Sequence, residues 1–174
     1  WNLVTQRMWL LDFVSHEVRP CFRQDEQDSV GHEFWTQDGY VFFDNRGPGH
    51  DGTITSDRTQ AVVTDVAVKH QSDFVPFVGL IYRHDNLIRR VDMPFYCNHY
   101  HANSENSLLV GDDVDDLVLI DITGDRAILE TLCNHKTSWH TQASLCHPTW
   151  SWDGRQILYA SDFGGKINMY LIEP

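Results

Sequence analysis

The sequence is short of positive charge, of helix signals and of long apolar runs, and each shortage closes off a class of function. Lys and Arg number 13 against 25 Asp and Glu, giving a net charge of −12 and a pI near 5.0. That balance argues against nucleic acid or an anionic membrane as partner. It leaves room for a small anionic ligand, because a metal ion and one arginine reverse the field locally. No apolar run approaches the roughly 20 residues of a membrane span, and no signal peptide is visible. There is no Gly-x-Ser-x-Gly elbow and no phosphate loop. The four cysteines, Cys21, Cys97, Cys133 and Cys146, form no Cys-x-x-Cys pair and are too few for a disulfide scaffold in 174 residues. Reduced, mostly buried thiols in a cytosolic protein are therefore expected.

What the chain does have is aromatic residues, at 12%, and runs that read as short strands, which together suit packed sheets. Residues 6–13 and 16–22 read as a first pair. Val30–Gln37 and Tyr40–Asn45 form a hairpin across Asp38-Gly39, a strong turn signal in such surroundings. A glycine-rich insertion follows from Gly47 to His70, with Ala61–Val68 as a possible extra strand. Phe74–Tyr82 and Leu87–Val91 make the next pair, turning at His84-Asp85-Asn86. The pattern restarts with His99–Asn103, Leu108–Gly111, Leu117–Ile122 and Arg126–Leu132. Thr149–Trp152 and Gln156–Ser161 turn at Asp153-Gly154, and Ile167–Ile172 closes the series.

The repeating unit is thus four antiparallel strands. Repeats of about 40–50 residues with four short strands each point to β-propeller blades. The expected content is the outer half of one blade, two complete blades and three strands of a last one, all-β, with boundaries near residues 24, 93 and 141. Each repeat needs neighbours to bury its core. The chain, which opens on Trp1 directly in strand-like sequence, is therefore expected to be the C-terminal portion of a larger closed propeller. The upstream blades of the parent chain would be its structural partners.

One register carries the functional signal. His32 lies six residues before Asp38, His147 six before Asp153, and His99 six before Glu105. The first strand of a propeller blade lines the central channel, so equivalent positions in successive blades converge around the axis. A lone histidine there can simply hydrogen-bond the neighbouring blade. Three in register, with His101 beside His99 and Gln142 five before His147, favour a metal or acid–base site. Neutral imidazoles and an amide oxygen suit divalent transition ions. Arg7 begins a strand of the preceding blade and could clamp a carboxylate. Weaker candidates are His135 and His140, with Lys136 and Trp139, in a polar inter-blade loop. His16, His50, His70 and His84 read as solvated. The acidic run Asp112, Asp113, Asp115 and Asp116 lacks calcium-loop spacing and reads as a solvated turn. Trp9, Trp35, Trp150 and Trp152 read as inter-blade core.

The motifs Arg7-Met-Trp-Leu10, His32-Glu-Phe-Trp35, Cys97-Asn-His99, Val110-Gly-Asp112, Thr137-Ser-Trp139, Gln142, His147-Pro and Ser161-Asp-Phe-x-Gly165, in this order, resemble the oligogalacturonate lyases, polysaccharide lyase family 22. The resemblance implies a seven-bladed, TolB-like propeller in a cytoplasmic, manganese-dependent enzyme of pectin breakdown. It implies cleavage of short oligogalacturonides, such as unsaturated digalacturonate, by β-elimination. It places the Brønsted base on His32, a substrate-binding arginine on Arg7, and metal ligands on His99, Gln142 and His147, with His101 beside the substrate. One ligand departs: the pattern Gln-x-x-His-x-His reads here Gln142-Ala-Ser-Leu145-Cys146-His147, leaving His101, Cys146 or water to complete the shell. The alternative is a non-catalytic TolB-like interaction module whose His/Asp-Gly signature is only architectural.

Overall fold

A computed structural model describes residues 6–25, 28–46, 75–82, 88–139 and 141–174. The expectations for Ala61–Val68, for His50, His70, His84 and His140, and for the 84–86 turn fall outside these residues. Thirteen strands are described, and the only helical element among the described residues is a 3-10 turn, Gln142–Ser144. The opening pair is β1 (Trp9–Leu11) and β2 (Val18–Pro20). A four-stranded sheet follows from β3 (Val30–Trp35), β4 (Tyr40–Asn45), β5 (Phe77–Tyr82) and β6 (Ile88–Asp92). The next comprises β7 (Tyr100–Ala102), β8 (Leu108–Asp112), β9 (Asp116–Asp121) and β10 (Ile128–Asn134). Three strands complete the series: β11 (Thr149–Trp150), β12 (Ile157–Ser161) and β13 (Asn168–Ile172). Every sheet is an antiparallel meander whose strands lie in sequence order. The two-four-four-three content is the one the repeat pattern predicts.

Local chemistry explains the meander. In the three larger sheets, the turn between the first two strands is built on one device, a side chain capping its own tight turn. Thr36 Oγ1 donates to Asp38 Oδ1 at 2.7 Å, and Ser151 Oγ to Asp153 Oδ1 at 2.6 Å. The residue that closes the turn takes left-handed backbone in all three: Gly39 at φ 89°, Asn106 at 51° and Gly154 at 67°. Glycine and asparagine tolerate that region best, which is why Asn106 can stand where its two counterparts are glycine. Asn106 also donates its amide to Asp38 Oδ1, so one unit's turn is latched to the next.

The core is a series of layers between sheets. Adjacent residues on a strand face opposite sides, and β4 shows the consequence. Phe42 packs with Val78, Leu80 and Val91 against Tyr100, Leu109, Val118 and Ile120 of the next sheet. Its neighbour Phe43 faces the other way, with Met8, Cys21, Phe77 and Ile81. Both rings are fully buried, each worth about 1.5–3 kcal/mol of apolar burial. Gly79 makes room for this: a Cβ there would fall 2.2 Å from Phe43 Cε1. The third layer joins Val110 to Trp150 and Ile157. Of the four tryptophans expected in such layers, only Trp150 is buried; Trp9, Trp35 and Trp152 are exposed. Burial in a layer needs a sheet stacked on that face, and the described residues place none over these three side chains.

Candidate active site

The three in-register histidines meet. The His32 and His99 ring centroids lie 5.3 Å apart, and those of His99 and His147 lie 4.0 Å apart, with His99 in the middle. They line one groove of about 230 Å³, together with Glu33, Phe34, Tyr100, His101, Pro148 and Thr149. Backbone strain helps to aim two of them. His32 sits at φ 50° and His147 at φ 44°, a left-handed conformation uncommon outside glycine. The ladder between β3 and β4 shifts register between Gly31 and Phe34, the stretch that holds His32. Such bulges re-aim a side chain.

His99 and His32 have different backings. The Asp112 carboxylate, fully buried, accepts from the His99 backbone N–H at 2.5 Å and faces its Nδ1 at 2.8 Å. That bond puts the neutral ring's proton on Nδ1 and leaves Nε2 with its lone pair. The expectation of a solvated turn at Asp112 is therefore overturned, because the antiparallel ladder folds the end of β8 back onto the start of β7. His32 faces a busier partner. Arg46 Nη2 contacts His32 Nδ1, and Arg46 Nε bonds Asp44 Oδ2 at 2.6 Å. A guanidinium only donates, so in this arrangement Nδ1 accepts and the neutral ring holds its proton on Nε2. Asp44 Oδ1 lies 3.4 Å from the same Nδ1 and is buried, without a hydrogen-bond partner among the described residues. Burial pushes the Asp44 carboxyl up, but His32 and Arg46 outweigh it and hold the group below the usual carboxylate value. Neither Asp44 nor Arg46 was found from the sequence. The available signal was the strand register, which sets Asp44 opposite Gly31.

His101 stacks on Phe34 at 5.6 Å and accepts the Trp150 backbone N–H at Nδ1, 3.1 Å. Burial lowers its pKa, so the ring is neutral with its proton on Nε2. It is a hydrogen-bond donor in the groove and, in this tautomer, has no nitrogen left for a metal. Arg7 does not line the groove. It pairs with both oxygens of Glu33, through Nε to Oε1 and Nη2 to Oε2 at 3.2 Å. It sits in an adjoining hollow of about 330 Å³ that shares Glu33 and Phe34 with the groove and adds Trp9 and Trp35.

The backbone of Gln142 opens the 3-10 turn; its side chain falls outside the description. Leu145 and Cys146 are buried, and burial pushes the Cys146 thiol far up. Cys146 packs with Leu117 and Tyr159 and does not line the groove, so it does not replace the absent histidine. Among the described residues, no group of three His, Cys, Asp or Glu side chains is arranged to hold a metal. The donors present do fit one in kind. His99 and His147 are borderline-soft nitrogen donors, and a carboxylate on the far nitrogen is the usual support of a metal-bound histidine. His135 is not a site residue. It is buried, accepting the Thr137 N–H at Nδ1 and donating from Nε2 to the Asp113 carbonyl, and Trp139 packs edge-on against it. Its loop anchors sheets because its backbone, too, is tied down: the His135 carbonyl accepts the Ser161 hydroxyl.

No protein-family model matches the chain. It is 26% identical over 191 residues to an oligogalacturonide lyase of Pectobacterium atrosepticum, covering 98% of this chain and 43% of that protein. Its structure is similar to an oligogalacturonate lyase in complex with manganese, with a TM-score of 0.75 and 25% identity over 99% of this chain and 43% of the other. TolB from Acinetobacter baumannii superposes with a TM-score of 0.59 at 10% identity, covering 95% of this chain and 34% of TolB, a likeness of fold alone. The chain thus spans less than half the length of the curated relatives it matches. Along nearly all of its own length it resembles oligogalacturonate lyases, and its meandering sheets are those of a β-propeller.

Proposed function

We propose that this chain contributes to a lyase that cleaves oligogalacturonides or related uronates by β-elimination. The observation that carries the reading is the convergence of His32, His99 and His147 in one groove of a chain similar throughout to such lyases. β-Elimination from a uronate removes the proton on C5, next to the carboxylate, and expels the C4 oxygen. The carboxylate anion makes that carbon a poor acid, so its charge must be neutralised as the proton leaves.

His32 is the base. For it to act so, Arg46 Nη2 draws back from Nδ1 onto Asp44, and the ring takes the tautomer that carries its proton on Nδ1, toward Asp44 Oδ1, with its lone pair on Nε2. An imidazole is suited to this near neutral pH. Arg7 binds a substrate carboxylate after parting from Glu33. His101 donates from Nε2 to a sugar oxygen. His99 and His147, with Gln142, hold a divalent ion such as Mn2+, which when bound would supply positive charge for the substrate carboxylate. The four cysteines are free, in keeping with a cytoplasmic setting.

The test is His32→Ala in the intact protein, followed by ultraviolet absorbance of the unsaturated uronate product on digalacturonate or trigalacturonate. A positioned base is typically worth on the order of 10²–10⁴ in rate, and a loss of that size is expected. Unchanged turnover would remove His32 from the mechanism. A purely architectural role for the histidines, as in a TolB-like module, would show as no turnover in the wild type and no Mn2+ binding.

A further inference from the structure

The three histidines occupy one position of a repeat, yet the proposed function asks one to be a base and two to be ligands. The strand register shows what separates them. The backbone N–H groups of Thr36, Asn103 and Ser151 donate to the carbonyls of Tyr40, Leu108 and Gln156, which gives the three hairpins a common origin. Four residues before the donors stand His32, His99 and His147; four after the acceptors stand Asp44, Asp112 and Ala160. So the register sets a buried carboxylate with His32 and with His99, and an alanine at the same position of the His147 hairpin. Two residues further on the strands diverge, into Arg46, Val114 and Asp162. Arg46 is the only cation of the set.

Arg46 is built in. It is buried, bonds Asp44 through Nε, reaches the Asn98 carbonyl at 3.3 Å, and lies 4.8 Å over the Tyr96 ring. Its Nη2 rests on His32 Nδ1. Asp44 is therefore neutralised by its own strand. Among the described residues, no lysine or arginine pairs with Asp112, whose ion-pair partner is His99. The two ends of the groove differ in charge although their histidines and carboxylates match: a net anion backs His99, and a neutralised pair with its guanidinium on the ring backs His32.

We propose that Arg46 is a positioning residue that keeps a divalent cation off His32 and confines it to the His99–His147 end, reserving His32 for the substrate. His99 can share an ion with either neighbour, since both rings are close to it. A fixed positive charge touching His32 settles the choice, because near an effective dielectric of 20 a unit charge a few ångströms from a divalent ion is worth at least about tenfold in affinity. This inference rests on the metal assignment of the proposed function and deepens it.

The experiment is calorimetric titration of the intact protein with Mn2+ alone. His147→Ala is expected to weaken binding by at least about tenfold, as loss of a ligand does. In that background Arg46→Gln is expected to recover about tenfold, with His32 and His99 now sharing the ion, and adding His32→Ala should abolish the recovery. Arg46→Lys, which keeps the charge, should recover nothing. If Arg46→Gln/His147→Ala binds no better than His147→Ala, the inference is overturned while the metal assignment stands. If His99→Ala binds Mn2+ as well as the wild type does, the assignment itself falls and takes the inference with it. A measurement that leaves Arg46 in place covers the case where Arg46 variants do not fold. Nuclear-spin couplings of Mn2+ to ¹⁵N-labelled histidines should be unchanged by His32→Ala, and loss of a coupling would overturn the proposal.

Discussion

His99 and Asp112 meet twice: the carboxylate accepts the His99 backbone N–H through Oδ1 at 2.5 Å and holds the ring Nδ1 through Oδ2 at 2.8 Å. One side chain therefore fixes both the entry to β7 and the tautomer of the histidine that precedes it. Asp112→Asn keeps the shape and loses the charge. Mn2+ affinity should fall about 10- to 100-fold, the usual effect of losing a ligand's outer support, while circular dichroism stays that of the folded sheet. Unaltered affinity would mean that His99 does not bind the ion through Nε2.

The Arg7–Glu33 pair ties up the guanidinium that the proposed function assigns to a substrate carboxylate. Its side chains are 57% and 26% exposed, and pairs this open contribute about 0–1 kcal/mol. Glu33→Gln should therefore leave thermal stability within that margin. By freeing Arg7 it should lower KM for an oligogalacturonide a few-fold at low salt. A raised KM would show that Glu33 orients Arg7 for the substrate rather than competing with it.

Asp44 links the site to acid stability. Its carboxyl is held below the usual value by His32 and Arg46 despite burial. In the range between the two values the unfolded chain binds the proton and the folded one does not. The contribution is thus complete above about pH 4 and drains away as pH falls through the depressed folded value. Asp44→Asn strands a buried arginine and should cost about 3–5 kcal/mol at neutral pH. In urea unfolding, the gap to wild type should narrow below about pH 4. A gap independent of pH would contradict a charged Asp44 in the folded state.

Gly79 is a packing glycine, since a Cβ would lie 2.2 Å from the Phe43 ring. Gly79→Ala should destabilise by about 1–3 kcal/mol, the usual range for overpacking. Phe43→Leu in the same background should give back part of the loss, a coupling that a double-mutant cycle reads directly. Additive losses would place the Gly79 effect elsewhere.

Much of the architecture was legible in the linear text. Tyr40–Asn45 forms the predicted strand to the residue, because Asp38-Gly39 marks the turn and the apolar run after it has nowhere else to go. The histidine register was legible too, since a repeat carries equivalent positions to equivalent places. Asp112 was misread for the opposite reason: in the text it opens an acidic run, and only its cross-strand neighbour His99 explains its burial. His135 looked like a loop donor, yet both of its ring nitrogens are spent on backbone groups. The exposed Trp9, Trp35 and Trp152 were misread because aromatic character reports what a side chain could bury, not what covers it.

The sequence by itself determined that this is a meander of short antiparallel strands with three histidines at one position of the unit, because turn chemistry and strand alternation are local and repeat. Only the tertiary structure decided how those histidines differ. The partners that set their protons and charge, Asp44 and Arg46 for His32 and Asp112 for His99, lie 12 to 14 residues away in the chain. They arrive by strand pairing, and electrostatic character depends on distance in space.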